Sequence, residues 1–267
     1  MDSGGCRMNG GGGGGADMIS LEDLESVSEE QLELEEPEPE MEEEEERDQS
    51  GRLLQYWRDA ARGHQVEVPT DMAQPIQQIT SNNDGAHTRE SVPYTLITRK
   101  EKCGEVLYEK RHYEKAHWAC ITVHEDTYEQ SICYGFMKIM RFICQQNSAG
   151  SYLGMTIPIV TVVRTDEMNT TLSRAVTVAY YLPTPYQNNP PRPYDPDILI
   201  EQWPAAIVYT RSFTGATNEL SILHELRSLA EALDCPALGV SDSFIVAGYT
   251  NPAAAHRHNE IWFLERP

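Results

Sequence analysis

Long apolar runs are absent from the 267-residue sequence, and no stretch approaches the roughly 18 apolar residues that a membrane-spanning helix needs. The start of the chain, Met-Asp-Ser-Gly-Gly, has no apolar signal segment and no glycine at position 2 for myristoylation. The six cysteines include no C-x-x-C pair, so we expect reduced thiols in a reducing compartment. These absences predict a soluble, cytoplasmic protein without a membrane span.

Clusters of basic residues are also missing. The chain has 21 Lys+Arg against 42 Asp+Glu, and residues 1–50 alone hold 18 acids and two bases, a net charge of −16. Proteins that neutralise phosphates with clustered Lys and Arg carry a basic stripe or tail, which this sequence lacks. We therefore exclude direct binding to nucleic acid and to anionic lipid surfaces, and we assign the acidity to one segment.

The common catalytic motifs do not occur. The sequence contains no G-x-S-x-G, no H-E-x-x-H and no Walker A loop. Cys120 and His124 lie on one predicted strand, but four strand residues span about 13 Å, too far for both side chains to bind one metal ion. Nothing in these patterns indicates an enzyme or a zinc site.

Composition divides the chain into three parts. Residues 1–50 include the glycine run Gly10–Gly15 and the glutamate-rich stretch Glu29–Glu46, which predict a disordered acidic leader. Residues 51–90 read as a short helix, Arg52–Arg62, followed by a polar linker, and residues 91–267 as the folded domain. The leader either only solvates the chain or contains a short helix that docks on a partner protein, because five apolar residues occur at roughly helical spacing: Ile19, Leu21, Leu24, Val27 and Leu32.

The folded domain reads as two similar halves, each a helix flanked by two pairs of strands. The first half predicts strands Glu105–Arg111, Lys115–Val123, Ile157–Arg164 and Arg174–Leu182 around helix Asp126–Gln146. The second half predicts strands Ile198–Gln202, Ala205–Phe213, Ser243–Tyr249 and Asn259–Glu265 around helix Thr217–Leu233. Helices separated by strand pairs favour an antiparallel α+β sheet. We predict a distorted antiparallel β-barrel with two flanking helices and an internal pseudo-twofold repeat.

The first predicted helix has more apolar surface than one core contact requires. Asp126 and Glu129 resemble a capping box at its start. One stripe faces the core, and it comprises Tyr128, Ile132, Phe136, Ile139 and Ile143. A second stripe is rich in sulfur, comprising Cys133, Met137, Met140 and Cys144, with the cations Lys138 and Arg141 at its border. This surface suits a flat apolar ligand with carboxylates, or else it packs under the Gly63–Glu90 loop or on a neighbouring strand.

The second predicted helix has a single apolar face, which we assign to the core. Its members are Ile222, Leu223, Leu226, Leu229, Ala230 and Leu233.

Several short sequences within these elements occur in a recognisable order. They are Tyr108-Glu109-Lys110-Arg111-His112-Tyr113, Gly135-Phe136-Met137-Lys138, Met155-Thr156-Ile157-Pro158-Ile159, Pro190-Pro191-Arg192-Pro193, Tyr209-Thr210-Arg211-Ser212-Phe213-Thr214-Gly215, Ala247-Gly248-Tyr249-Thr250-Asn251-Pro252 and Arg257-His258-Asn259-Glu260-Ile261-Trp262. Over about residues 105–265 this series resembles the SOUL/haem-binding protein family.

The resemblance implies the same distorted barrel and the binding of haem or related tetrapyrroles, with no catalysis. It implies a ligand against the first helix, near Cys133, Met137, Lys138, Met140, Arg141 and Cys144, and an optional axial iron ligand at His112. Two alternatives stay open. One is a protein-interaction or cell-death regulatory module that uses either the acidic leader, on the pattern of its own residues, or the second helix near Leu229–Asp234, as the resemblance implies. The other, by fold analogy, is a hydrolase using Glu260 and Tyr249. The oligomeric state is left open.

Overall fold

The computed structural model describes residues 55, 58–59, 62–63, 65–75, 78, 89–165, 170–233, 243–250 and 256–265. All of them belong to the second of the chain's two units, Glu43–Pro267. The predicted acidic leader, Asp234 and part of the predicted linker lie outside these residues. Within the predicted short helix, the described residues Gln55, Arg58, Asp59 and Arg62 are helical.

The described residues form the predicted strands and the two predicted helices in their predicted order, together with two strands, at residues 90–91 and 94–102, that were not predicted. The strands are β1 (Glu90–Ser91), β2 (Tyr94–Lys102), β3 (Glu105–Tyr113), β4 (Ala116–His124), β5 (Thr156–Ile157), β6 (Ile159–Arg164), β7 (Ala175–Tyr181), β8 (Ile198–Trp203), β9 (Ala206–Thr214), β10 (Ser243–Gly248) and β11 (His258–Leu264). The helices are α1 (Tyr128–Cys144) and α2 (Glu219–Ala232), with short 3-10 turns at Thr70–Met72 and Thr184–Tyr186. No helix in the described ranges is long and apolar enough to cross a membrane.

Nine strands form one antiparallel sheet in the order β2-β3-β9-β11-β10-β6-β7-β4-β8. The eight strands from β3 to β8 read the same from either end of the sheet when each strand of one half is matched with its equivalent in the other half. The matched pairs are β3 with β8, β4 with β9, β6 with β10 and β7 with β11. Each half therefore places its first strand beside the second strand of the other half, β3 on β9 and β8 on β4. The sheet curls into a half-barrel, which confirms the predicted α+β barrel with two flanking helices and shows the repeat in its strand order.

Helix α1 packs on β4 and β7, in the first half of the repeat. Its cap is Thr127, whose extended backbone places Oγ1 3.2 Å from the backbone N–H of Gln130. The expectation that Asp126 caps this helix is therefore wrong by one residue, since Thr127 supplies the same kind of oxygen directly before the first helical turn. Gly135 lies where α1 comes closest to the sheet, because a Cβ built there would be 2.7 Å from Cγ2 of Val178.

Helix α2 packs on β3, β9 and β11, in the second half of the repeat. It begins at a capping box in which Asn218 and Ser221 exchange hydrogen bonds. Its fully buried side chains lie on one face, as predicted: Ile222, Leu223, Leu226 and Leu229. Each such side chain stabilises the fold by about 1.5–3 kcal/mol relative to exposure, so one face is enough to hold this helix on the sheet.

Candidate functional site

The sulfur-rich stripe of α1 exists and is buried. Cys133, Met137, Met140 and Cys144, which we call the sulfur strip, are each at most 6% exposed. Over three helical turns they line the side of α1 adjoining the face that packs on the sheet, about 16 Å from the first to the last residue. Phe136, predicted for the core face, packs against this strip instead, because its angular position lies between the two faces.

A segment N-terminal to the barrel covers the sulfur strip. Val66 and Met72 are buried in the same apolar cluster, Met72 with no exposed surface at all. The thiol of Cys144 donates to the backbone carbonyl of Pro75 at 3.5 Å. We call Val66–Pro75 the cover segment. The sequence left open whether the strip binds a ligand or packs under the Gly63–Glu90 loop, and the structure has the second arrangement.

Arg141 borders the sulfur strip, and one nitrogen of its guanidinium group has no hydrogen-bond partner. Its Nη2 lies 2.7 Å from Oδ1 of Asp71, which belongs to the cover segment. Its Nε is the one buried side-chain nitrogen or oxygen without a hydrogen-bond partner in the described part of the chain. Leaving such a donor unpaired costs about 1–3 kcal/mol. Nε and Nη2 together form the edge of the guanidinium that binds a carboxylate with two hydrogen bonds.

Lys138, the second predicted cation, is already neutralised by two carboxylates. Its Nζ lies 2.6 Å from Oδ2 of Asp197 and 3.3 Å from Oδ2 of Asp195. The hydrogen bond to Asp197 raises the pKa of Lys138. Both partners immediately precede β8, so this lysine links α1 to the start of that strand.

The two strip thiols are neutral at physiological pH. Burial raises the pKa of Cys133 to about 11, with a smaller contribution from Glu129, and burial raises the pKa of Cys144 to about 12. Because the thiolate is the form that binds metals and attacks electrophiles, these cysteines present an apolar, polarisable surface.

The structure does not bring His112 together with the sulfur strip. His112 is half-buried on β3, with its Nδ1 3.5 Å from Oε1 of Glu114. Four strands separate β3 from β7, on which α1 packs. No group of three or more His, Cys, Asp or Glu residues that could hold a metal ion occurs among the residues described. Axial ligation by His112 stays a prediction.

A buried polar network on the face of the sheet opposite the helices was not predicted. Arg111 on β3 donates through Nη1 and Nη2 to the two oxygens of Glu260 on β11, both at 2.9 Å. Its Nε donates to Glu109 at 2.7 Å, and Tyr249 and Trp262 each donate to Glu260 at 2.7 Å. Burial and the Glu260 carboxylate raise the pKa of Tyr249.

This network joins the two halves of the repeat. Glu260 of the second half is the bidentate partner of Arg111 of the first half. Both carboxylate oxygens of Glu260 already accept hydrogen bonds from described side chains. The signal in the sequence was the alternation Glu109, Arg111, Tyr113, which places three polar groups on one face of a strand.

A family model described as SOUL heme-binding protein matches residues 89–264. Heme-binding protein 1 of Bos taurus is 28% identical over 178 residues, covering 66% of this chain and 92% of that protein. Heme-binding protein 2 of Homo sapiens is 29% identical over 161 residues, covering 60% of this chain and 78% of that protein.

Two solved structures are similar in outline. One is a hydrolase encoded by lin2189 from Listeria innocua, with a TM-score of 0.38 and 9% identity over 59% of this chain and 91% of that chain. The other is the EcmrR C-terminal domain, with a TM-score of 0.38 and 14% identity over 60% of this chain and 98% of that chain. Scores this low support no functional argument. The family model covers most of the chain, and the protein belongs to the SOUL heme-binding protein family.

Proposed function

We propose that this protein binds haem or a related tetrapyrrole on the sulfur strip of α1, as a non-enzymatic carrier, buffer or sensor in the cytoplasm. The observation that carries the proposal is the unpaired Nε of Arg141, next to a buried, polarisable apolar surface. Family membership supports the ligand class, since the similar proteins are named for heme binding. The four described cysteines are free thiols, as the cytoplasm requires.

The residues present fit a tetrapyrrole. The strip offers a long apolar face without charge, because burial keeps the thiols of Cys133 and Cys144 protonated. Thioether side chains adapt to an irregular apolar surface, and burial of the macrocycle would supply most of the affinity. Arg141 would orient the ligand by binding a propionate carboxylate through Nε and Nη2. Haem, when bound, supplies a redox-active iron. A metal-free porphyrin that keeps its propionates would make the same contacts with the strip and with Arg141.

A protein-interaction role finds less support in the described residues. The apolar side chains of α2 are committed to the core, and Leu229 has no exposed surface. A partner groove could take this face only if α2 left the sheet. The acidic leader lies outside the described residues, so no observation on it favours this alternative.

The experiment must separate the ligand contact of Arg141 from its ion pair with Asp71. We therefore compare Arg141→Met and the wild-type residue in an Asp71→Asn background, where the ion pair is lost in both proteins. Titration with hemin, followed at the Soret band, should saturate in both. Affinity should be about 10–100-fold weaker in the protein that carries Arg141→Met, since a hydrogen bond to a charged group contributes about 1.5–3 kcal/mol.

The matched control is Arg227→Met, an exposed arginine on α2, in the same background. It should leave the titration unchanged. A parallel titration with metal-free protoporphyrin, followed by fluorescence, reports whether the macrocycle binds without iron. Absence of a saturable change with either probe, or equal affinities in all three proteins, would contradict the proposal.

A further inference from the structure

We propose that the cover segment, Val66–Pro75, is an intramolecular competitor that occupies the ligand face of α1 and is released when a tetrapyrrole binds. This inference rests on the proposed function, because it concerns the same face of α1. It adds a regulatory element that lies outside residues 89–264, which the family model matches.

The cover segment carries the two chemical features of the proposed ligand. Its apolar part, Val66 and Met72, fills the space over the sulfur strip, and Val68 packs at the border. Its carboxylate, on Asp71, binds the guanidinium of Arg141 at 2.7 Å. An apolar body with a carboxylate on Arg141 is also what a haem propionate edge would present. The two occupants therefore exclude each other on steric and electrostatic grounds.

The cover segment satisfies the site incompletely. Asp71 reaches only Nη2, and Nε of Arg141 remains buried and unpaired. The carboxylate itself is 59% exposed, so solvent weakens the ion pair. A ligand carboxylate that bound Nε and Nη2 together would gain the hydrogen bond that Asp71 leaves unmade. This difference gives the ligand a means to displace the segment.

Detachment of the cover segment would break little regular structure. Its backbone hydrogen bonds, so far as the chain is described, are local: Met72 to Pro69 and Ala73 to Thr70. The direct polar links from this segment to α1 are the Asp71–Arg141 ion pair and the Cys144–Pro75 hydrogen bond. Val66 and Met72 would become exposed on release. Segments with few buried contacts and local bonds open at the lowest free energy.

An equilibrium between closed and open cover has a quantitative consequence. Only the open fraction binds ligand, so the apparent dissociation constant is the intrinsic constant divided by that fraction. The same fraction limits chemical access to the thiols beneath the segment. A substitution that opens the cover should therefore raise hemin affinity and thiol reactivity by the same factor, while the closed form still predominates.

The test uses the full chain with Met72→Asp, which places a charge in the apolar cluster, and the milder Asp71→Asn, which removes the ion pair. The matched control is Gln74→Asp, which adds the same charge at an exposed neighbouring position. Alkylation of the ligand-free protein at pH 8 is resolved by mass spectrometry for Cys133 and Cys144. Cys120, buried in a different cluster, is the internal reference in each sample. Circular dichroism confirms the fold, and hemin titration follows.

We expect alkylation of Cys133 and Cys144 to rise on the order of tenfold in Met72→Asp, with a smaller rise in Asp71→Asn, since one buried side chain accounts for about a factor of this size. Hemin affinity should increase by matching factors, and Gln74→Asp and Cys120 should not change. Faster alkylation with saturable but unchanged hemin binding would overturn the competition and leave the proposed function intact. Faster alkylation without saturable hemin binding in any variant would overturn both. Unchanged alkylation in folded Met72→Asp and Asp71→Asn would overturn the opening itself.

Discussion

Helices α1 and α2 occupy equivalent places in the two halves of the repeat, but their surfaces differ. Both follow two strands and pack on matched pairs, α1 on β4 and β7 and α2 on β9 and β11. Four side chains of α2 are buried, and they lie on one face. In α1 ten residues are buried, and they include the sulfur strip on an adjoining side.

The difference between the two helices shows that the second apolar face of α1 is not needed to hold a helix on the sheet. Since α2 is held by a single apolar face, the barrel does not require a second face on α1. An extra apolar surface must be covered in water, and the cover segment does this with Val66 and Met72. This asymmetry between two equivalent helices is a further reason that we propose the ligand site on α1.

The largest expected effect comes from truncating one buried side chain on each of the two helices and comparing the losses of stability. Leu229→Ala on α2 should lower the free energy of unfolding by about 2–5 kcal/mol, because it leaves a cavity in closely packed core. Met137→Ala on α1 should cost about 2 kcal/mol or less, because the cover segment can settle into the gap. Urea denaturation measures both.

The effects on hemin affinity should rank in the opposite order. Met137→Ala should change the affinity measured by hemin titration, whereas Leu229→Ala should leave it unchanged as long as that variant is folded. Equal losses of stability would mean that the sulfur strip is ordinary core, and the comparison of the two helices would lose its functional meaning.

The second prediction concerns how closely α1 approaches the sheet. Gly135→Ala gains about 1 kcal/mol of helix propensity but places a Cβ 2.7 Å from Cγ2 of Val178, a stiff and buried side chain. Overpacking of this kind costs about 1–3 kcal/mol, so we expect a net loss of stability of about 0–2 kcal/mol in urea denaturation. Ser228→Ala on α2, which loses only a local bond to His224, should stay within about 0.5 kcal/mol. A stabilised Gly135→Ala protein would show that α1 can move away from the sheet.

Most of the fold was predictable from apolar patterning, because burial alternates along β3 and β9, whereas β10 and β11 are buried over four or five consecutive residues. The exceptions are β1 and β2, which were missed. Tyr94–Lys102 is exposed at every position, so it has no apolar periodicity, and β3 is its pairing partner at the edge of the sheet. Edge strands with charged residues and bulges, such as the irregular pairing near Leu96 and Thr98, leave no such signal.

The sequence predicted the sulfur strip of the candidate site but not the contacts of the segment that covers it. The periodicity of α1 located the sulfur strip, because i to i+3 and i+4 spacing is local information. Its cover was not predictable in detail, since the pairing of Asp71 with Arg141 joins positions 70 residues apart. The network of Arg111 and Glu260 joins positions 149 residues apart, and it was missed for the same reason.

The third prediction uses the thiols, which α1 has and α2 lacks. In the unfolded chain a cysteine ionises near about pH 8.5, whereas burial raises the pKa of Cys133 to about 11 and of Cys144 to about 12. Above the unfolded pKa the folded protein holds protons that the unfolded chain releases. Stability is therefore fully present below about pH 8.5 and is lost as pH rises toward the folded values, by up to about 1.4 kcal/mol per pH unit for each thiol.

Urea denaturation between about pH 8.5 and pH 10 measures this loss, and the tyrosines, which ionise near pH 10 when unfolded, contribute equally to the proteins compared. The double variant Cys133→Ala, Cys144→Ala should show a shallower decline than the wild type. Cys120, whose pKa is also raised by burial, contributes equally to both proteins. An identical decline would mean that the strip thiols are already exposed in the folded state, and that the cover segment does not close over them.

The smallest expected effect tests whether β3 and its histidine are independent of the proposed ligand site on α1. His112 lies on β3, a strand that contacts α2, and its described partner is Glu114 on the same side of the barrel. His112→Ala should change the free energy of unfolding by about 0.5 kcal/mol or less, as for other half-exposed positions. It should leave the hemin titration unchanged, because four strands separate β3 from the strand beneath α1. A lost or shifted Soret band in this variant would instead place the iron near β3, and Met137→Ala measured beside it would then be the unaffected protein.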